Sequence, residues 1–221
     1  MTLLLFVTAL VLVARAQGEA LLDWLRAGNK SILAFGDSLT RGHIRHHSLR
    51  NVTYRPYTIK LGELLNKDAS SQLEINERGQ DGERTMQMEQ RLPQVMNSIG
   101  GNIGLVIILG GTNDLAVRWN SWDDVVESLK RLHQSAHAHG AKTIAITMPD
   151  CLWTHSNAAG TEKYIKVNEA VRQMNVTLPD GVVGVFDTVP VFNPQNSPET
   201  KSFWTHDMIH LSEEGYAKMG S

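Results

Sequence analysis

Ser38, His210 and Asp207 are the residues from which a chemistry can first be argued. A serine hydroxyl is a poor nucleophile at neutral pH and needs a base to take its proton. Histidine, which as a free side chain titrates near pH ~6.5, is suited to that task. Asp207 stands three residues before His210, a spacing that lets a carboxylate in a turn or first helical turn reach the imidazole Nδ1 and hold its tautomer. The tetrahedral intermediate of acyl transfer also needs fixed donors for its oxyanion. The backbone N–H groups of Ser38 and Gly82 and the carboxamide of Asn113 can supply them, and a glycine lets the backbone approach with no Cβ in the way. Each motif alone has a plainer reading. Ser38 could cap a helix, Gly79 and Gly82 could punctuate a loop, Asn113 and Asp114 could open a turn, and a D-x-x-H arises by chance.

The elements expected to carry these residues change the odds. After an apolar leader, five short runs rich in β-branched residues recur: Ile32 to Phe35, Leu73 to Ile75, Leu105 to Leu109, Thr143 to Thr147 and Val182 to Phe186. Their starts are roughly 30 to 40 residues apart, the spacing of βαβ crossovers rather than hairpins. Helical patterns fill the gaps at Tyr57 to Asn66, Arg84 to Asn97, Trp122 to His139 and Glu162 to Met174, with a short last one after Leu211; Pro93 is expected to kink or end the second. Runs apolar on both faces belong in a sheet covered on both sides. The expected fold is therefore α/β, a three-layer α/β/α sandwich on a five-stranded parallel sheet, one domain over residues 17 to 221. In such sheets ligands sit beyond the C-terminal strand ends, which is where GDSLTRG (36 to 42), NERGQDGERT (76 to 85) and GGTNDL (110 to 115) fall.

These blocks, with DMIH at 207 to 210, resemble those of the SGNH hydrolase superfamily, the GDSL esterases and lipases. The resemblance runs from about residue 31 onward, in family order, and implies a flavodoxin-like fold and a serine esterase that uses no metal or organic cofactor. It implies Ser38 as nucleophile, Gly82 and Asn113 as oxyanion donors beside Ser38, and Asp207 with His210 as the rest of a triad. The second block offers both Gly79 and Gly82; the G-x-x-G-x-x-T form, matched by Gly79, Gly82 and Thr85, favours Gly82. The family hydrolyses carboxylic esters, and a small-molecule or carbohydrate ester of short acyl chain is the expected substrate, with lysophospholipase or lipase action as the alternative. A catalytically silent carbohydrate- or lipid-binding module is the non-enzymatic reading, but such a member should have lost part of the set.

Rival sites are weaker. His206 adjoins Asp207 but has the wrong offset for the family pattern. His133, His137 and His139 at the end of a helix read as a solvated face meeting the helix dipole, and His43, His46 and His47 as a polar surface loop; no zinc array is present. Trp119, Trp153 and Trp204 follow strands and could line the substrate pocket or simply pack loops. Cys151 reads as a small buried residue. Arg41, Arg45, Arg50 and Arg55 could form a local basic patch, although the whole chain carries a net charge of -2 and offers no broad field for nucleic acid or an anionic membrane. Finally, Leu3 to Ala14 is apolar but for Thr8 and is followed by Arg15 and Ala16. That run of roughly 12 residues is short of the 18 to 20 or so that span a bilayer, so residues 1 to 16 read as a signal peptide, without stable membrane insertion. Secretion is expected, and sequons at Asn29, Asn51 and Asn175 fit it.

Overall fold

The computed structural model describes residues 18–46, 51–67, 72–100, 102–155, 157–193 and 198–221. The proposed signal peptide lies outside them. Residues 18–27 are helical (α1) and lead into β1 (Ser31–Gly36), the short helix α2 (Ser38–Arg41), and two short strands, β2 (His43–Arg45) and β3 (Val52–Tyr54). Helices and strands then alternate as α3 (Thr58–Asn66), β4 (Ile75–Gly79), α4 (Thr85–Ile99), β5 (Ile103–Leu109), α5 (Trp122–Ala138), β6 (Lys142–Ile146), α6 (Ala158–Arg172), α7 (Met174–Thr177) and β7 (Val182–Phe186). Three short helices follow: α8 (Val189–Phe192), α9 (Pro198–Ser202) and α10 (Glu213–Met219).

β4, β1, β5, β6 and β7 lie side by side in that order, all parallel. Counted among themselves the order is 2-1-3-4-5, that of flavodoxin, which reverses direction between β1 and β5. The sheet is apolar on both faces because successive side chains alternate. Leu33, Phe35, Val106 and Ile108 pack under α4, α5 and α6 with Met88, Leu92, Leu129 and Val167. Ile32, Ala34, Leu105 and Ile107 face the other way, toward Leu39, Phe192, Trp204 and Tyr216. Two packed faces on one sheet give the three layers.

The structure departs from the sequence reading in several places. β4 begins where its apolar run ends, so Asn76 to Gly79 belong to the strand rather than to the loop after it. This edge strand is only partly buried and tolerates polar side chains. α4 does not end at Pro93 but continues to Ile99, since the lost backbone bond is outweighed by the buried Met88, Leu92 and Met96 on its inner face. Residues 43 to 54, read as a loop, contain the antiparallel pair β2–β3. His133 is not on a solvated face: it is 1% exposed, with Nδ1 2.7 Å from Thr143 Oγ1, and burial pushes its pKa down to about 3. His137 meets the same hydroxyl at 2.9 Å.

Candidate active site

β1 and β4 end in register at Gly36 and Gly79, and Gly36 also pairs with Leu109 of β5. The segments that follow these three strands therefore leave the sheet side by side, at the point where strand order reverses. Asp37 caps α2, its carboxylate accepting from the Leu39 N–H at 2.9 Å. This cap sets Ser38 at the first turn of a four-residue helix.

From the far end of the chain, Thr205 to His210 forms a tight loop closed by the Thr205 N–H donating to the His210 carbonyl at 2.9 Å. Met208 adopts φ 54°, a left-handed conformation that a long side chain rarely takes. It is compatible with an Asp207 that gathers the loop around itself: one carboxylate oxygen accepts from Thr205 Oγ1 at 2.8 Å, Ile209 N–H at 2.9 Å and His210 N–H at 3.0 Å. Its other oxygen lies 2.8 Å from His210 Nδ1. Burial pushes this carboxyl up, but the hydrogen bonds from His210, Ile209 and Thr205 outweigh it and hold the group well below the usual carboxylate range. Asp207 is thus ionised behind the ring at neutral pH. On the ring's opposite edge, His210 Nε2 is 3.0 Å from Ser38 Oγ.

The two candidate glycines have different surroundings. A Cβ on Gly79 would fall 2.2 Å from the Arg41 nitrogen and 2.6 Å from the Asp37 carbonyl, so this glycine lets β4 pack against the backbone of the serine-bearing turn. Its N–H is already taken by the Glu77 carboxylate. Gly82 has φ +74° and open space around it, and among the described residues neither its N–H nor that of Ser38 has a partner. Asn113, in the short turn Thr112–Asp114 after β5, donates to the Glu83 carbonyl at 2.9 Å and more loosely to Asp37 at 3.4 Å. Behind it, the Asp114 carboxylate accepts from Thr85 N–H and Asn120, fixing the start of α4 against this turn. Lys163 Nζ donates to the Asp114 and Val117 carbonyls and to Asn120, ordering the same loop.

Such an arrangement can activate a hydroxyl, hold the resulting imidazolium against a fixed carboxylate, and present donors to a developing oxyanion. The sequence profile of the GDSL-like lipase/acylhydrolase family matches residues 34–218, from before Asp37 to beyond His210. The chain belongs to that family.

As a GDSL-like acylhydrolase it is by family a carboxylic ester hydrolase. Its fold agrees with solved structures. A lipase/acylhydrolase from Enterococcus faecalis is 20% identical with a TM-score of 0.69, covering 86% of this chain and 91% of its own. A carbohydrate acetylesterase from Sinorhizobium meliloti is 20% identical at a TM-score of 0.67, covering 86% and 94%. The aryl esterase of M. smegmatis is 19% identical at 0.68, with the same coverage of 86% and 94%. At these identities the likeness is one of fold. No curated protein matches the chain in sequence.

Trp119 stands open, 64% exposed with the Arg84 guanidinium 5.1 Å from its ring. Trp204 is not at the rim: it is 6% exposed and its indole N–H donates to the Phe192 carbonyl at 3.0 Å. Its bulk fills the layer beneath the His210 loop. Trp153 lies in the turn Leu152–His155, with its side chain outside the described residues. It is His210, not His206, whose ring meets both Ser38 and Asp207.

The basic patch is largely cancelled by carboxylates, Arg41 facing Asp81 at 3.3 Å, Arg45 facing Asp207 at 3.9 Å and Arg55 facing Glu213 at 3.4 Å. Arg50 lies outside the described residues. Among the described residues, no cluster of His, Cys, Asp or Glu is placed to hold a metal, and no helix is long and apolar enough to cross a membrane.

Residues that sequence reasoning passed over also build the site. The Arg91 guanidinium spans the buried Glu83 carboxylate, bonding one oxygen through Nε at 2.7 Å and the other through Nη2. It also donates to the Gly36 carbonyl at 3.1 Å and the Arg78 carbonyl at 3.2 Å. One side chain thereby clamps the strand before Ser38 to the loop that holds Gly82. A charged residue on an amphipathic helix gives no local sign of this role.

Proposed function

We propose that the protein hydrolyses carboxylic esters of short acyl chain, acetyl esters foremost, through an acyl-serine intermediate formed on Ser38, and that it does so after secretion. The observation that carries the proposal is the unbroken line from Ser38 Oγ through the His210 ring to Asp207, at 3.0 and 2.8 Å. Ser38 attacks the ester carbonyl while His210 Nε2 takes its proton. The ionised Asp207 stabilises the imidazolium without accepting that proton. The oxyanion is met by the N–H groups of Ser38 and Gly82 and by the Asn113 amide. His210 then protonates the departing alcohol, and a water activated by the same ring releases the acid and regenerates Ser38.

The carbohydrate acetylesterase and aryl esterase among the fold neighbours accord with small ester substrates. Exposed Trp119 beside Arg84 offers a flat surface for the alcohol portion of a small or carbohydrate ester. Secretion is supported by the apolar leader with Ala14 and Ala16 in small-x-small form.

Rates on p-nitrophenyl esters of rising chain length, with a serine-directed fluorophosphonate and EDTA as inhibitors, test the chemistry. Abolition by the fluorophosphonate and a rate that is highest for acetyl or other short esters are expected. Activity that survives the fluorophosphonate and disappears with EDTA defeats the serine mechanism. A rate still climbing beyond about eight carbons defeats the short-chain assignment in favour of a lipid groove, since each buried CH₂ is worth roughly 0.8 kcal/mol. N-terminal sequencing of protein recovered from the culture medium tests secretion and the cut after Ala16.

A further inference from the structure

Several groups around His210 that the acyl-transfer steps do not use converge on His43. Its ring lies against the His210 ring, centroids 4.2 Å apart and planes 27° from parallel. His43 Nδ1 is 3.0 Å from Asp81 Oδ2, and Asp81 directly precedes Gly82. The Tyr54 hydroxyl donates to the same carboxylate oxygen at 2.9 Å, and its ring stands edge-on to His43. The Tyr216 hydroxyl donates to the His43 backbone carbonyl at 2.9 Å. The remaining ring nitrogen, Nε2, is buried with no partner among the described residues. Such an unpaired nitrogen is unfavourable, so the ring is placed there for its flat face rather than for a full set of hydrogen bonds.

We propose that His43 is a positioning residue for the proposed base: with Asp81 it holds the His210 ring in the plane that directs Nε2 at Ser38, and it ties that ring to the loop carrying Gly82. The inference rests on the acyl-serine reading above. Asp207 pins one edge of the His210 ring, but an edge contact leaves the ring free to tilt about it. A stacked neighbour removes the tilt, and a misplacement of about 1 Å in such a site can lower a rate on the order of 100-fold. The electrostatics agree with this role. Burial pushes the His43 pKa down, the Asp81 carboxylate opposes it, and the charges of His210 and Arg45 act in the same direction as burial. Arg41 faces Asp81 on its other side. A neutral His43 leaves His210 free to carry the one positive charge that two stacked imidazoles accommodate.

The test compares kcat and KM on p-nitrophenyl acetate for the wild type, His43→Ala, His43→Phe, Asp81→Ala and Ser38→Ala. His43→Ala should lower kcat about 10- to 100-fold with KM changed by less than about threefold. His43→Phe, which restores a flat ring and needs no partner for Nε2, should recover kcat to within about fivefold of the wild type, with Asp81→Ala between the two. Ser38→Ala separates the two levels of the argument. If it keeps wild-type activity, the acyl-serine reading fails whatever His43 does. If it is inactive, a folded His43→Ala with wild-type kcat, or a His43→Phe as slow as His43→Ala, overturns the positioning role. Should His43→Ala not fold, His43→Phe is set against His43→Leu, which fills the space without a flat face; a faster Phe variant supports the role and equal rates overturn it.

Discussion

The side-chain amide of Asn113 donates to the backbone carbonyl of Glu83 across 2.9 Å, joining the turn after β5 to the loop after β4. The amide is therefore aimed before any substrate arrives, which is what makes an oxyanion donor effective. Asn113→Ala should lower kcat on the order of 100- to 1,000-fold with little change in KM. Asn113→Asp should be worse, because it replaces a donor by a second carboxylate beside Asp37. Steady-state kinetics on a folded variant decide the matter, and a full kcat in Asn113→Ala would remove Asn113 from the mechanism.

Arg91 bridges Glu83, Gly36 and Arg78, and losing it strands a carboxylate that is almost wholly buried. Arg91→Met should destabilise the protein by about 3 kcal/mol or more, as breaking one side of a buried pair generally does. Glu83→Gln combined with Arg91→Met should recover part of that loss. Urea unfolding of the single and double variants gives the comparison. If the double variant is no more stable than Arg91→Met alone, the stranded charge is not the cause.

In the proposed mechanism Asp207 orients the base and stabilises its charge, but carries neither the nucleophile nor the transferred proton. Ser38→Ala and His210→Ala should each remove most activity, whereas Asp207→Ala should be roughly 10- to 100-fold less damaging in kcat. Its hydrogen bonds hold the folded carboxyl below the ordinary range, so it contributes stability above that range and loses it only as pH falls through the depressed value. Thermal melts should therefore show wild type more stable than Asp207→Ala at about pH 5 and above, with the gap closing in stronger acid. A gap that opened only above pH ~7 would contradict this.

Asp37 shows the opposite sign. It is wholly buried, and burial raises its pKa from 3.8 to about 7 in spite of the Leu39 N–H and the nearby His210. Between those two values the folded protein holds a proton that the unfolded chain has released, so stability falls as pH rises through the window and stays low above it. Asparagine caps a helix as well as aspartate. Asp37→Asn should consequently gain stability relative to wild type on going from pH 5 to pH 8, with a ceiling on the order of 3 kcal/mol. His133, with its pKa pushed down to about 3, works in the other direction in both proteins. Only the difference between the two unfolding curves isolates Asp37, and a difference independent of pH would refute the assignment.

The convergence of Ser38, Asn113, Asp207 and His210 is legible in the sequence because each lies in a short motif, the first two just past a strand. A parallel sheet with helical crossovers gathers such ends on one rim. Other elements leave no comparable trace. The edge strand β4 is polar along much of its length, so only its first residue shows in the apolar pattern. Trp204 beside D-x-x-H reads as rim or core with equal ease, and only its burial and the hydrogen bond to the Phe192 carbonyl decide. The histidines of HIRHH look alike along the chain. What distinguishes His43 is a ring contributed from the other end of the protein. Arg91 and Glu83 are eight residues apart, but Glu83 lies in the loop before α4, so no helical periodicity pairs them.

Ser38 and His210 touch although 172 residues separate them in sequence. During synthesis, a chain that has completed α2 already carries the serine, yet every strand of the sheet must be made before the imidazole arrives. An unfinished or stalled polypeptide therefore presents an ordinary, unreactive alcohol to the esters around it. In the proposed mechanism, that long separation in sequence withholds activation of the serine until the sheet is complete.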